Sequence, residues 1–211
     1  MRSLLLCMLG MVLMALPAPV SADLQESFSP PMFAVPFGDL DEARLQAEVL
    51  RQALTFLQMV ASHWGNDRMT LRKAVEGNIG EDEQNKLVYL RNIADHGVLE
   101  GYEFHHGSLV RGQYVVLQRP LNGLNEFIDY YRTLKRSVTE TYGAPSLDRV
   151  VWNNDLYQPV PDYWGVAVMI GHLHYHAKWE TADGTITLEL TGNRHSRLFL
   201  EYQSHRAAAT T

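Results

Sequence analysis

Three histidines alternate along one short segment, GHLHYHAKWE, and their type and spacing give the chain its clearest potential for chemistry. His172, His174 and His176 are each separated by a single residue. Because successive side chains of a β-strand point to opposite faces of a sheet, all three are predicted to project from one face, with neighbours about 6.6–6.8 Å apart. Imidazoles placed in this way could share a Zn²⁺ or Cu²⁺ ion.

A carboxylate that completes such a site would come from the following strand. The dipeptide Asp183-Gly184 is typical of a two-residue hairpin turn. A turn of that length predicts that Lys178 faces Glu189, which leaves Glu189 diagonal to His176 and within its reach. The sequence therefore predicts a candidate metal site made of the three histidines and Glu189.

The residues that alternate with the histidines favour an interpretation without a metal. In this strand and the two that follow it, they are Leu173, Tyr175, Ala177, Trp179, Ile186, Leu188, Leu190, Leu198, Leu200 and Tyr202. An antiparallel sheet with one buried face shows this alternation, so the apolar residues would face the core and the histidines would be solvated. On this interpretation we expect no cofactor, and zinc or copper is the alternative.

An aromatic loop follows the predicted strand at 149–153 and is the second candidate site. Its sequence, YQPVPDYW, contains Tyr157, Tyr163 and Trp164. Aromatic rings with a polar tip could stack on a sugar or a peptide. Proline-rich aromatic loops also cap the edge of a sheet or its core, and that structural interpretation remains open beside the ligand-binding one.

Motifs of the common enzyme classes do not occur in the sequence. It contains no G-x-S-x-G, no H-E-x-x-H, no P-loop and no G-x-G-x-x-G. Its acidic residues are scattered, and none is predicted to stand in an apolar run of the kind that raises the pKa of a catalytic carboxylic acid. We therefore expect a protein that is not an enzyme, with a small hydrolase that lacks a recognisable motif as an alternative.

The first residues have the features of a secretory signal peptide. Arg2 precedes an apolar run of about 13 residues, and small residues follow as far as Ala22. A helix that spans a membrane needs about 20 apolar residues, so this run is too short to be an anchor. The sequence predicts a signal peptide at 1–22, export to the periplasm or the medium, and no membrane span in the mature chain.

Composition excludes several classes of protein. Of the 211 residues, 46% are hydrophobic and 20% are charged, which is too apolar for a disordered chain. The formal net charge is -6, and an acidic chain without a basic stripe is a poor nucleic-acid binder. The single cysteine, Cys7, lies in the predicted signal peptide, so the exported chain would have no disulfide and no thiolate ligand. The expected partner is an envelope protein or a small ligand.

Hydrophobic periodicity divides the rest of the chain. We predict a flexible leader at 23–38, a single domain at 39–204 and a frayed tail at 205–211. Apolar stripes at helical spacing predict two main helices, from Asp39, the expected N-cap, to Trp64 and from Leu124 to Tyr142. A shorter helix is predicted from Arg68 to Glu76 and a polar loop at 77–85. Strands are predicted at 86–94, at 101–118 as a hairpin, and at 149–153, 165–181, 185–191 and 197–203.

This order of helix, strands, helix and strands favours an α+β fold. The expected architecture is an antiparallel sheet with the two main helices packed on one face. Each main helix ends in an aromatic-glycine pair, Trp64-Gly65 and Tyr142-Gly143. The repeated ending indicates an internally duplicated helix-plus-meander unit.

Several longer segments together resemble a family of uncharacterised bacterial exported (periplasmic) proteins. They are HWGNDRMTLRKAVEG, YEFHHGSLVRGQYVV, DYYRTLKRSVTETYGAP, VVWNNDLY and GHLHYHAKWETADGTITLEL. Sequences of that family run through a WG-helix segment, a YxFxxGxL hairpin, a YGxP helix end, and WxT and TxIxL strands. The resemblance covers about residues 56–204 and points to a fold, without implying any functional residue.

These observations together predict an exported, non-catalytic binding or envelope-assembly module. It would bind through a face of the sheet or through the loop at 154–164. A metal-binding protein and a small hydrolase are the alternative functions. The sequence does not indicate an oligomeric state.

Overall fold

The computed structural model describes residues 37–93, 96–117 and 125–205 of the chain. The predicted signal peptide, the leader residues 23–36 and the tail residues 206–211 lie outside this part. None of the described helices combines the length and the apolar character that crossing a membrane requires.

Eight antiparallel strands form a single sheet. In chain order they are β1 (Asn78–Glu83), β2 (Lys86–Ile93), β3 (His96–His105), β4 (Ser108–Leu117), β5 (Leu147–Trp152), β6 (Leu173–Glu180), β7 (Gly184–Gly192) and β8 (Ser196–Ser204). Their order across the sheet is β1-β2-β3-β4-β8-β7-β6-β5. The strands β4 and β8 therefore pair at the centre, while β1 and β5 form the two edges.

The helices give the predicted α+β class. They are α1 (Phe37–Ser62), α2 (Arg68–Ala74), α3 (Glu126–Tyr142) and α4 (Trp164–Met169), with a 3₁₀ turn at Pro161–Tyr163. As predicted, the two main helices, α1 and α3, pack on one face of the sheet and bury their apolar stripes there. Helix α1 begins at Phe37, so Asp39 lies inside the helix and is not its N-cap.

Each half of the described chain has one long helix followed by four strands, but the short helix stands before the strands in the first half and between β5 and β6 in the second. The first half runs from a long helix, α1, through strands β1 to β4, and the second from α3 through β5 to β8. The last strands of the two halves pair with each other, so one half of the sheet mirrors the other in strand order. A common origin of the two halves stays a prediction.

The segment at 77–85 contains a strand, where a polar loop was predicted. Strand β1 has the sequence NIGEDE and pairs with β2 from Asn78 to Glu83, with a bulge between Ile79 and Glu81. An edge strand needs little apolar sequence because most of its surface remains in water. The polar composition of β1 therefore concealed it from a prediction based on hydrophobic alternation.

The long strand predicted at 165–181 is wrong in its first part. Residues Trp164–Met169 form α4, and β6 begins only at Leu173. The run WGVAVM is apolar without a clear period, and such a short run does not distinguish a strand from a buried helix. A left-handed residue, Gly171 with φ 78°, separates α4 from the strand.

The two faces of the second half of the sheet sort as predicted. Tyr175, Trp179 and Leu188 are 6%, 1% and 0% exposed and belong to the core. His174 and His176 lie on the opposite face and are half-buried. The alternation of apolar and polar residues thus identified the core face of these strands correctly.

Candidate functional site

The predicted metal site depends on the register of β6 and β7, which differs from the prediction by two residues. His176 lies directly opposite Glu189, and Lys178 lies opposite Thr187. The difference arises because the turn is longer than two residues and is closed by the hydroxyl of Thr181. Nδ1 of His176 is 3.2 Å from a carboxylate oxygen of Glu189, so these two groups form a direct cross-strand pair.

The other two histidines have different partners. Nε2 of His174 donates to the carbonyl of Gly171 at 2.9 Å, and its Nδ1 lies 2.9 Å from the hydroxyl of Thr191. His172 precedes β6 and packs its ring 6.2 Å from that of Tyr157. A metal site requires lone pairs directed at one point. In the described part of the chain, no group of three or more His, Cys, Asp or Glu side chains is arranged to hold a metal ion.

The aromatic loop packs on itself and on the end of the sheet. Tyr157 and Tyr163 stack with their ring centres 6.2 Å apart, and Trp164 packs edge-on against Trp152 at 5.7 Å. The indole N–H of Trp164 donates to the carbonyl of Gln158. Tyr157 and Trp164 are half-buried by these contacts, while Tyr163 is 47% exposed. The three predicted residues are therefore neighbours, and Tyr163 is the one most open to a partner.

Exposed apolar side chains are frequent in this loop and in the segments next to it. Six of the ten large hydrophobic side chains that are exposed in the described part lie there: Val150, Val151, Leu156, Val160, Tyr163 and Ile170. Val150 and Val151 belong to the edge strand β5 and are 54% and 44% exposed. Exposed apolar side chains that are concentrated in one region of the chain are candidates for contact with a partner.

A buried ion pair lies in the other half of the sheet. Glu100 is 4% exposed and shares the core face of β3 with Tyr102. One of its carboxylate oxygens lies 3.1 Å from a guanidinium nitrogen of Arg91 and accepts a hydrogen bond from the hydroxyl of Tyr102 at 3.2 Å. Its cross-strand neighbours are Tyr89 on β2 and Tyr114 on β4. The carboxylate is thus set among three tyrosines and one arginine.

Burial controls the protonation of this cluster. Desolvation raises the pKa of Glu100 above its ordinary value, and the guanidinium of Arg91 opposes the shift. Burial and the neighbouring carboxylate also hold the pKa of Tyr102 far above its usual range, so its hydroxyl stays a hydrogen-bond donor. Burial therefore disfavours the charged form of Glu100, and Arg91 and Tyr102 compensate for part of that cost.

A cleft bounded by α1, the end of α2, β2 and β3 reaches this pair. Its inner part has a volume of about 240 Å³ and is lined by Gln52, Thr55, Phe56, Met59, Ala74, Val75, Glu76, Arg91, Glu100 and Tyr102. An outer part of about 600 Å³ shares three of those residues and adds Glu48, Gly77, Asn78, Leu90, Asn92 and Ile93. The cleft thus combines an apolar wall with carboxylate, amide and guanidinium groups.

The sequence analysis missed this cleft because it judged acidic residues by whether they stand in an apolar run. The segment VLEGYEF does not appear apolar, but its alternation places Glu100 in line with Val98, Tyr102 and Phe104. All three of those neighbours are buried. A carboxylate that occupies an apolar position of a strand is the signal that would have identified the site.

No protein family model, curated protein or solved structure matches the chain significantly. The resemblance to a family of exported bacterial proteins therefore stays a prediction. Function has to be inferred from the geometry of the described residues.

Proposed function

We propose that the protein is an exported, non-catalytic binding module that adds an extended segment of an envelope protein to its sheet at β5. The observation that supports this proposal is the exposure of Val150 and Val151 on an edge strand, beside the exposed side chains of Leu156, Val160 and Tyr163. A free strand edge and an apolar surface are the two elements that strand addition requires.

The backbone of β5 supplies the first element. Within the described part of the chain, β5 pairs with β6 on one side and with nothing on the other. The N–H and C=O groups on the open side are available to a further strand, whose main-chain hydrogen bonds would provide affinity. Val150 and Val151 are adjacent, so they project to opposite faces and would contact an added strand on both.

The opposite edge of the sheet is protected in the ways that edge strands commonly are. Strand β1 carries Glu81, Asp82 and Glu83, and a bulge interrupts its pairing. Charged side chains and bulges disfavour the addition of another strand. Strand β5 also carries charges, Asp148 and Arg149, but it has no bulge and adds two adjacent exposed valines. Strand β1 therefore provides an internal control.

A matched pair of variants tests the proposal. The double variant Val150→Lys and Val151→Lys places charges on β5, and Ile79→Lys places one on β1, where Ile79 is 39% exposed. Because all three positions are exposed, both variants should fold. We expect a partner captured from envelope extracts to bind the double variant at least about tenfold more weakly and the Ile79→Lys variant unchanged.

Hydrogen exchange then locates the contact. The bound partner should slow the exchange of backbone amides in β5 and leave those of β1 unaffected. Failure of wild-type protein to retain any partner, or equal retention of both lysine variants, would contradict the proposal.

Export is part of the proposal and has its own test. If residues 1–22 are a signal peptide, the mature protein should be found in the periplasm or the medium and should begin at Asp23. Cell fractionation followed by N-terminal sequencing measures both. A protein that stays in the cytoplasm with its first residues intact would rule out export.

A further inference from the structure

The ion pair between Arg91 and Glu100 is an unexpected feature of a core face. Both residues occupy core-facing positions, at which β2 otherwise places Leu87, Tyr89 and Ile93. Removing charges from water is costly, and a well-packed apolar pair of similar volume is often at least as stable. Stability alone therefore does not account for a charged pair at the end of a cleft.

Two hydrogen-bonding groups beside the pair lack partners. Nε of Arg91 and the hydroxyl of Tyr89 are buried and have no hydrogen-bond partner among the described residues. Gly77 allows this crowding, because a Cβ there would lie 3.2 Å from the Tyr89 ring and 3.5 Å from Nε of Arg91. A buried donor without an acceptor costs free energy, so the site is not optimised for stability alone. The Arg91 side chain is 27% exposed and lines the cleft, so its outer guanidinium N–H groups can donate to a ligand there.

The charges in the cleft indicate a ligand without net charge. Its lining contains three carboxylates, Glu48, Glu76 and Glu100, of which Glu48 is paired with Arg51 outside the lining and Glu100 with Arg91. An anion would be repelled by the carboxylates, and an ammonium group at the inner end would face Arg91. A neutral ligand leaves the ion pair intact and avoids both costs.

The arrangement of donors and acceptors indicates hydroxyl groups. A guanidinium offers only donors and a carboxylate only acceptors, and here they lie side by side. Two adjacent hydroxyls match them, since one can donate to Glu100 while the next accepts from Arg91. Phe56, Met59 and Val75 form an apolar wall against which the C–H face of a ring could pack.

The volume limits the size of the ligand. Clefts that hold drug-sized ligands span roughly 300–1,000 Å³. The inner part, at about 240 Å³, is smaller and suits a single ring, while the outer part leaves room for a substituent or a second ring. We propose that this cleft binds a neutral, polyhydroxylated ring the size of a monosaccharide, held between Arg91 and Glu100.

Four probes that share one ring but differ in charge or substituent test the ligand class. Glucose and N-acetylglucosamine are neutral, glucuronate is an anion and glucosamine is a cation at neutral pH. We expect calorimetry or ligand-observed NMR with purified protein to detect at least one neutral sugar, with a dissociation constant of about 1 mM or below. Both charged analogues should bind at least about tenfold more weakly.

Two variants locate the binding. Thr55 is exposed on α1 and lines the cleft, so Thr55→Trp should obstruct it and abolish binding. Gln58 is also exposed on α1 but does not line the cleft, so Gln58→Trp is the matched control and should bind normally. Glu100→Gln removes the charge but keeps the shape, and it should weaken binding several-fold if the carboxylate accepts from a hydroxyl.

Several results would overturn the proposal. It fails if neither neutral sugar binds at 10-fold the expected dissociation constant, if glucuronate or glucosamine binds as tightly as the neutral sugars, or if Thr55→Trp binds as wild type does. The cleft and β5 lie in different halves of the sheet. Loss of sugar binding in Thr55→Trp and loss of partner binding in the β5 lysine variant are therefore independent results.

Discussion

The two halves of the sheet mirror each other in strand order but differ in the polar groups that they bury. In the half formed by β1 to β4, His96 and Glu100 are buried on the core face of β3. In the half formed by β5 to β8, the buried polar side chains among the described residues are two serines, Ser196 and Ser204, and the histidines of β6 lie on the outer face. The half with the conspicuous cluster of imidazoles is therefore the one that, among its described residues, buries neither an imidazole nor a carboxylate.

This difference shows why a cluster of polar residues on a solvated face is weaker evidence for a site than a single ionisable residue on a core face. Imidazoles on a solvated face need no ligand, and His174 already uses both of its ring nitrogens in hydrogen bonds. A carboxylate on a core face is costly and requires compensation, which Glu100 obtains from Arg91 and Tyr102. The groups that compensate the buried carboxylate also line the cleft, where they can bind a ligand.

The largest expected effect comes from the core of the second half. Trp179 is 1% exposed, and its indole N–H donates to the carbonyl of Gly143 at 3.1 Å. Trp179→Ala should lower the free energy of unfolding by about 3–5 kcal/mol, because it leaves a large cavity. Denaturant titration measures the loss. The control is Trp152→Ala in the edge strand, where the ring is half-buried. If both variants lose the same free energy of unfolding, full burial of Trp179 contributes no more stability than the half-buried ring of Trp152.

The long helices of the two halves contact the sheet in different ways, and Gly112 lies at the contact of the first. A Cβ at Gly112 would lie 2.4 Å from Val60 and 3.0 Å from Phe56, so α1 contacts the backbone of β4 directly. In the second half, α3 rests on a ring, with Tyr131 and Tyr175 5.2 Å apart.

Gly112→Ala should therefore cost about 1–3 kcal/mol of stability through overpacking. Gly101→Ala is the matched control in the neighbouring strand, where the nearest atom lies 3.7 Å from the added Cβ. Its free energy of unfolding should change by less than about 0.5 kcal/mol. If both glycines tolerate alanine equally, the close contact between α1 and β4 is not required.

The buried pair of the first half predicts a non-additive response. Arg91→Met removes the cation but leaves the Glu100 carboxylate buried, so the free energy of unfolding at pH 7 should fall by about 2 kcal/mol. Glu100→Gln should cost less than about 1 kcal/mol, because an amide can still accept from both partners. The double variant should be more stable than Arg91→Met alone. Additive losses would show that the two groups do not interact.

The alternation of apolar and polar residues predicted most of the fold, because a sheet with one buried face imposes a period of two residues on each of its strands. The core positions of β6, β7 and β8 follow from it. The prediction failed where the constraint is weak. Strand β1 lies at an edge with little surface to bury, and α4 has an apolar sequence without a period.

The candidate sites were less predictable because they depend on contacts between distant segments. Tyr157, Tyr163 and Trp164 are close in sequence, so their neighbourhood could be predicted. The cleft combines α1 with β2 and β3, and no local pattern reports that combination. The open edge of β5 depends on the order of strands across the sheet, which the sequence analysis did not predict.

The pH dependence of stability should differ in sign between two carboxylates of the first half. Burial raises the pKa of Glu100 above its ordinary value of 4.5, so its contribution to stability is complete below pH 4.5 and is lost as the pH rises through the raised value. Hydrogen bonds from Arg51 and Gln52 lower the pKa of Glu48 to about 2. Its contribution is present above pH 4.5 and is lost as the pH falls towards 2.

Urea titrations at several pH values would compare wild type with Glu100→Gln and with Glu48→Gln. Relative to wild type, Glu100→Gln should gain stability as the pH rises above 4.5. The free energy of unfolding of Glu48→Gln should approach that of wild type as the pH falls below 4.5. Parallel pH profiles for the two variants would mean that Glu100 is not desolvated in solution.

The smallest effect is expected on the outer face of the second half. His176 and Glu189 form a pair in which each side chain is 37% exposed, and exposed pairs contribute little. Glu189→Gln should therefore change the free energy of unfolding by less than about 0.5 kcal/mol. Zn²⁺ should not raise the melting temperature of wild type, because Nδ1 of His174 would have to give up its contact with the hydroxyl of Thr191 to bind the ion. A zinc-dependent rise that disappears in Glu189→Gln would instead assign the outer face a metal site and give both halves of the sheet a chemical role.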